Sequence, residues 1–230
     1  MSFFSKPKIK KSQAPPKSSY TIHDFHNKDI QERGTIWQGQ DHFQICSIDP
    51  GAKNLGMRIE RRYHKGTYEP LVYLRMDLQV TEEDEVNCTV YKKLSIFLRQ
   101  YLPYFRETHL FVIERQLPEN YRAVRISQHI ITFLMHNLED SKLLPLVYEV
   151  ESKLKYRMLG APTQLNQRAL KKDWGPRKAR EILETEKDLL SLNRLDSEKK
   201  KDDLGDTVLL RRVLELIIFP GMASTSTSLL

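Results

Sequence analysis

The chain runs to 230 residues, with 37 Lys and Arg against 30 Asp and Glu, a formal net charge of +7 at pH 7. That length suits one domain or a domain with a tail, and its two cysteines, Cys46 and Cys88, are too few for a disulfide framework, so a reducing, intracellular setting is expected. There is no apolar run of the ~18 residues a membrane span needs and no signal-peptide h-region, which argues against a membrane protein or a small disulfide-stapled secreted one, while the basic balance favours a polyanion partner, nucleic acid above all.

Residues 1–40 read as a basic, largely flexible arm. Lys6, Lys8, Lys10, Lys11 and Lys17 occur with no acid through residue 20, among Pro7, Pro15 and Pro16. Such a segment buries too little apolar surface to order itself, and is either a solvated tail or a DNA-binding or targeting arm. Residues 41–220 read as one domain. Phe43 to Ile48 is a strand running into the turn Asp49-Pro50-Gly51, and residues 55–60 and 71–76 follow as two more strands with short links, an antiparallel meander. Val90, Leu94, Phe97, Leu98 and Tyr101 place a helix over 86–105. Residues 109–114 form a buried strand ending in Glu114; 120–138 form a helix with Ile126, Ile130, Phe133, Leu134 and Leu138 on one face; 145–150 form a fifth strand. Residues 163–196 are helix-prone and basic, 198–219 make a last helix, and 221–230 a second loose tail. The order βββαβαβαα predicts an α/β fold: a five-stranded mixed sheet, three antiparallel strands then two parallel ones, with helices on both faces.

Four acids stand where this pattern converges. Asp49 ends the first strand, Glu114 ends the fourth, and Asp203 and Asp206 lie three apart on the last helix, one turn along one face. In open α/β sheets, functional groups gather at the carboxyl ends of adjacent strands. Bare carboxylates so gathered raise each other's pKa, and a hard divalent cation with oxygen ligands relieves the repulsion. Two such ions can activate a water and stabilise the leaving oxygen in phosphodiester cleavage. Taken singly, each acid has a plainer reading: a turn former, a solvated strand end, a solvated helix face.

The segment from Ile48 through Asp49, Pro50, Gly51, Ala52, Lys53, Asn54 and Leu55 to Gly56 resembles the opening motif of RuvC-type Holliday junction resolvases, and its Lys-Asn pair resembles the poxvirus-type and yeast mitochondrial branch. Val112-Ile113-Glu114-Arg115-Gln116, with Asn120 and Arg122 beyond, resembles that branch's second motif, and Lys201-Asp202-Asp203-Leu204-Gly205-Asp206 its closing one. The likeness spans about residues 43–218 and implies a ribonuclease H-like fold, Mg²⁺ or Mn²⁺ as cofactor, a homodimer, and paired nicks in four-way DNA junctions. It implies Asp49, Glu114, Asp203 and Asp206 as metal ligands and Lys155 as the basic residue assisting after the fifth strand, with Lys153 the neighbour confusable with it and Lys178 the candidate for a second lysine. The stretches 163–167 and 174–176 have no counterpart in the family's spacing.

Basic residues then suggest a DNA track: Arg168, Lys171, Lys172, Arg177, Lys178 and Arg180 ahead of the last helix, and Lys199 to Lys201 beside the acidic pair. With Lys53, Asn54, Gln116, Asn120 and Arg122 from the resembling motifs, the residues expected on DNA include Lys171, Lys172 and Lys178. The apolar stripe of helix 120–138 suits a dimer face or the core equally. The expected function is a structure-selective endonuclease acting on four-way or branched DNA in recombination, repair or viral genome processing, inside a virus-infected cell, a mitochondrion or a nucleus. The alternatives are a YqgF-like RNA-processing nuclease, a non-catalytic junction binder and, lacking any Gly-rich phosphate loop, least of all an actin-like nucleotide-binding domain. Cys46, on a buried strand, reads as packing.

Overall fold

A computed structural model describes residues 22–23, 37, 39–63, 67–79, 85–141, 143, 145–162 and 168–219. Among the described residues six strands, β1 (Ile22–His23), β2 (His42–Asp49), β3 (Leu55–Tyr63), β4 (Tyr68–Met76), β5 (Leu110–Arg115) and β6 (Leu146–Glu151), form one sheet in the order β1-β6-β5-β2-β3-β4. The five expected strands are all present. β2, β3 and β4 make the antiparallel meander, and β2, β5 and β6 run parallel. The two-residue β1 adds a parallel edge to β6, pairing Ile22 with Val147. It falls in the segment read as an arm, as does Trp37, which is buried and packs on Phe43 with ring centroids 4.8 Å apart.

The helices are α1 (Cys88–Gln100), α2 (Leu102–Arg106), α3 (Tyr121–Asn137), α4 (Ser152–Met158), α5 (Arg168–Thr185), α6 (Leu189–Ser197) and α7 (Lys201–Ile218). The single helix expected over 86–105 is two. Asn87 caps α1 by accepting from the Thr89 and Val90 N–H groups, and the chain restarts at Tyr101 with Pro103 in the first turn of α2. The basic stretch 163–196 likewise breaks, at Lys187 (φ 58°) and at Asp188, whose side chain caps α6.

Side-chain alternation along each strand sorts the core into two faces. Cys46, Ile48, Leu55, Met57, Ile59, Phe111 and Ile113 point toward α1 and α3. Ile45, Leu110, Val112, Leu146, Tyr148 and Val150 point the other way, onto Leu210, Val213, Leu214 and Ile218 of α7. α7 is itself covered: Leu204, Val208 and Leu209 pack against Trp174, Ala179, Ile182 and Leu183 of α5 and Leu195 of α6. The apolar stripe of α3 (Ile126, Ile130, Phe133, Leu134) is consumed by this chain's own core, the second of the two readings its pattern allowed. Among the described residues no helix is long and apolar enough to cross a membrane.

Candidate active site

The strand parity that builds the core also aims the acids. Asp49 lies on the face of β2 that carries Ile45, and Glu114 on the face of β5 that carries Leu110 and Val112, so both carboxylates emerge on the α7 side. β2 and β5 are neighbours, with Ile48 opposite Ile113, which brings the two strand ends together. α7 supplies the third group. One carboxylate oxygen each from Asp49, Glu114 and Asp206 lie within 4.8 Å of one another.

Close approach of α7 depends on Gly56, which pairs with Asp49 across β2 and β3. A Cβ there would fall 2.6 Å from the Asp203 backbone oxygen and 3.1 Å from Thr207 Cγ2. From the outer side, Gly175 of α5 stands beside Asp206, and a Cβ at Gly175 would sit 3.6 Å from Asp206 Oδ1. The Trp174-Gly175-Pro176 stretch, without counterpart in the resembling family, thus forms the wall behind the acid helix.

Asp203 stands outside the close trio. Its Oδ2 is buried with no hydrogen-bond partner among the described residues, and burial together with Asp202 pushes its carboxyl up to about 7. Burial and the neighbouring Glu114 likewise raise Asp49 and Asp206, against the opposing pull of Lys155. The electrostatics are those of a site short of positive charge. Hard oxygen donors in a tight group, with a further carboxylate oxygen unsatisfied beside them, fit an oxygen-seeking divalent cation.

Lys155, in α4 directly after β6, is buried, and its Nζ lies 2.6 Å from Asp206 Oδ2 and 3.1 Å from Glu114 Oε2. Burial alone would lower its pKa, but Asp206, Glu114 and Asp49 outweigh it and hold the ammonium charged. Lys153 is exposed two residues earlier, so the helix settles which of the two lysines reaches the carboxylates. Lys178 pairs with Glu181 at 2.7 Å and does not line the cleft.

A cleft of about 470 Å³ opens over the acids, lined by Asp49, Lys53, Asn54, Gln116, Asn120 and Arg122 on one side and by Lys172, Lys200, Asp202 and Asp203 on the other. Asn120 Nδ2 donates to Gln116 Oε1 at 3.3 Å, and Gln116 Nε2 donates to Asp49 Oδ1 at 3.5 Å, a polar chain from the cleft rim to the first acid. Asn54 Oδ1 accepts from Arg75 Nη1 at 2.8 Å, and Lys172 stands 3.6 Å from Asp202. The side chain of Lys171 lies outside the described residues. Gln79, on the cleft wall, was not singled out from the sequence; it follows the third strand with no motif around it.

No family model matches the chain, and no curated protein matches it. Among solved structures it is similar to RuvC of Thermus thermophilus, at 15% identity and a TM-score of 0.50 over 79% of this chain and 97% of that one. It is also similar to the yeast mitochondrial Holliday junction resolvase, at 16% identity and a TM-score of 0.52 over 78% of this chain and 83% of that one. At such identities the likeness is one of fold, and the chain has the ribonuclease H-like fold of these two structures, built on a mixed sheet of the five expected strands, β2 to β6, which the two-residue β1 extends, with helices on both faces.

Proposed function

We propose that this chain is a structure-selective DNA endonuclease that resolves four-way junctions by divalent-metal-dependent phosphodiester hydrolysis, as a homodimer. The observation that carries the reading is the trio of Asp49, Glu114 and Asp206 oxygens within 4.8 Å, reached through Asp49 from a cleft that Lys53, Arg122, Lys172 and Lys200 also line. The fold shared with two proteins named as RuvC and as a Holliday junction resolvase supports it, as do the three sequence motifs in order.

Asp49, Glu114 and Asp206 would hold the metal, with Asp203 at its side. Mg²⁺, or Mn²⁺ in its place, supplies Lewis acidity toward the phosphodiester when bound. Gln116 fixes the rotamer of Asp49, and Asn120 fixes Gln116. The cationic rim orients the phosphate backbone, sequence-independently and salt-sensitively. Lys155 is positioned to stabilise negative charge developing near the scissile phosphate. A homodimer provides two symmetric sites for two symmetric cuts.

The test is a nicking assay on a labelled four-way junction, a matched linear duplex and a structured RNA, each in Mg²⁺ and in EDTA. Symmetric, Mg²⁺-dependent cuts confined to the junction are expected, from a species that light scattering sizes as a dimer. Cleavage of the RNA instead would make the chain an RNA-processing nuclease. Tight junction binding without cleavage in Mg²⁺ or Mn²⁺ would make it a binder only.

A further inference from the structure

Lys155 reaches the carboxylates from inside the fold rather than from solvent. Its side chain is 1% exposed, rooted between β6 and α7, and its ammonium shares Asp206 Oδ2 and Glu114 Oε2. Tyr156, with its ring centroid 5.6 Å from Lys155 Nζ, and Trp174, 5.3 Å beyond Tyr156, close the other side. A lysine that only met substrate phosphate would keep its charge at the cleft surface. This one is committed to two of the three carboxylates that form the candidate metal site. Cations drawn to the same two carboxylates in a partly dry site repel each other strongly, because Coulomb energy rises as the surroundings lose water.

We propose that Lys155 is a resident counter-ion of the trio that competes with the divalent cation for Glu114 and Asp206. It keeps Asp49, Glu114 and Asp206 gathered before the cation arrives, and cation entry drives its ammonium off at least one of the two carboxylates. Metal loading and release of the lysine are then one event, so the positive charge becomes free for substrate only in a loaded site. This rests on the metal-dependent reading above and adds to it a direction: the lysine weakens cation binding.

The experiment compares the full-length protein with Lys155→Met, which keeps length and removes charge, by calorimetric titration of each metal-stripped protein with Ca²⁺ and with Mg²⁺. The variant is expected to bind about tenfold more tightly or better, with a lower melting temperature before cation is added and a larger rise on saturation. Equal or weaker affinity in Lys155→Met overturns the proposal, since the lysine would then support the ligands rather than compete with the ion. Cation binding to neither protein overturns the metal-dependent reading and this proposal together, whereas equal binding by two proteins, the wild type of which still cuts junctions, overturns this proposal alone. If Lys155→Met does not fold, amine labelling of the wild type read by mass spectrometry decides. Lys155 should be protected in EDTA and several times more reactive in saturating Ca²⁺, and unchanged protection would overturn the proposal.

Discussion

Asp49 and Glu114 were recognisable from the sequence because each closes a short apolar run, and a period of two then places them on one face of adjacent strands. Asp49→Asn is expected to abolish cleavage while leaving junction binding largely intact, measured by nicking and by gel shift on one preparation. Retained cutting would remove Asp49 from the reaction. Gln116 was expected on DNA. It lines the cleft, but its amide also donates to Asp49, so Gln116→Leu should slow cleavage about tenfold, the lower range for loss of a group that orients a metal ligand, with junction affinity changed less than rate. His109 is buried. Its Nδ1 accepts from the Gln44 N–H at 3.2 Å and its Nε2 meets Gln40 Oε1 at 2.6 Å, which fits a neutral ring with the proton on Nε2. Burial and His42 pull its pKa down to about 4. A free histidine titrates near ~6.5, so between these values the unfolded chain binds the extra proton and stability must fall as pH falls. Urea midpoints followed from pH 7 to pH 4 should drop more steeply for the wild type than for His109→Gln.

At the scale of elements, β3 is buried more fully than its alternation suggests. Its alternation of Leu55, Met57 and Ile59 with Gly56, Arg58 and Glu60 is the pattern of a strand with one wet face. Both faces are buried, because α7 and the α5–α6 hairpin cover the polar one. Arg58 reaches Glu60 (2.6 Å), Asp188 (2.9 Å) and Ser191 (2.8 Å), and Arg62 reaches Glu60 (2.7 Å) and Glu186 (2.9 Å). Arg211 of α7 reaches Glu186 at 2.6 Å and Glu215 at 3.0 Å. Burial alone would raise the Glu60 carboxyl, yet Arg211, Arg62 and Arg58 hold it well below the usual carboxylate range. This network ties β3 to the start of α6 and to the acid helix. Removing one member of a buried pair strands the other, so Glu60→Gln should cost about 3–5 kcal/mol in urea unfolding. Gly56→Ala tests the close approach directly. Overpacking of about 1–3 kcal/mol is expected, with α7 displaced and the cleavage rate falling further than stability alone requires.

Over the whole molecule, the excess of basic residues becomes a distribution. Lys53, Arg122, Lys172 and Lys200 line the cleft, with Lys172 3.6 Å from Asp202, while Arg177, Lys178 and Arg180 do not line it and pair along α5 and its neighbour: Arg177 with Asp173, Lys178 with Glu181, and Arg180 with Glu184 and Asp196. Junction affinity measured against salt should therefore respond unequally. Arg122→Ala and Lys53→Ala are each expected to lower the slope of log K against log[salt] by about one, as loss of a phosphate contact does. Lys178→Ala should leave the slope unchanged, and an equal loss at Lys178 would place DNA along the outer face of α5 instead.

Five strands, the antiparallel-then-parallel order, and the acids at Asp49, Glu114 and the start of the last helix were legible in the sequence, because they rest on local periodicity and on residues that terminate elements. Which of Lys153 and Lys155 meets the carboxylates, that Asp206 rather than Asp203 completes the trio, and that Arg58 and Glu60 are buried were decided by tertiary structure alone. Each depends on a helix from a distant part of the chain lying on a particular sheet face. A charged side chain reads the same in sequence whether water or a buried partner of opposite charge satisfies it, and only the packed fold distinguishes the two.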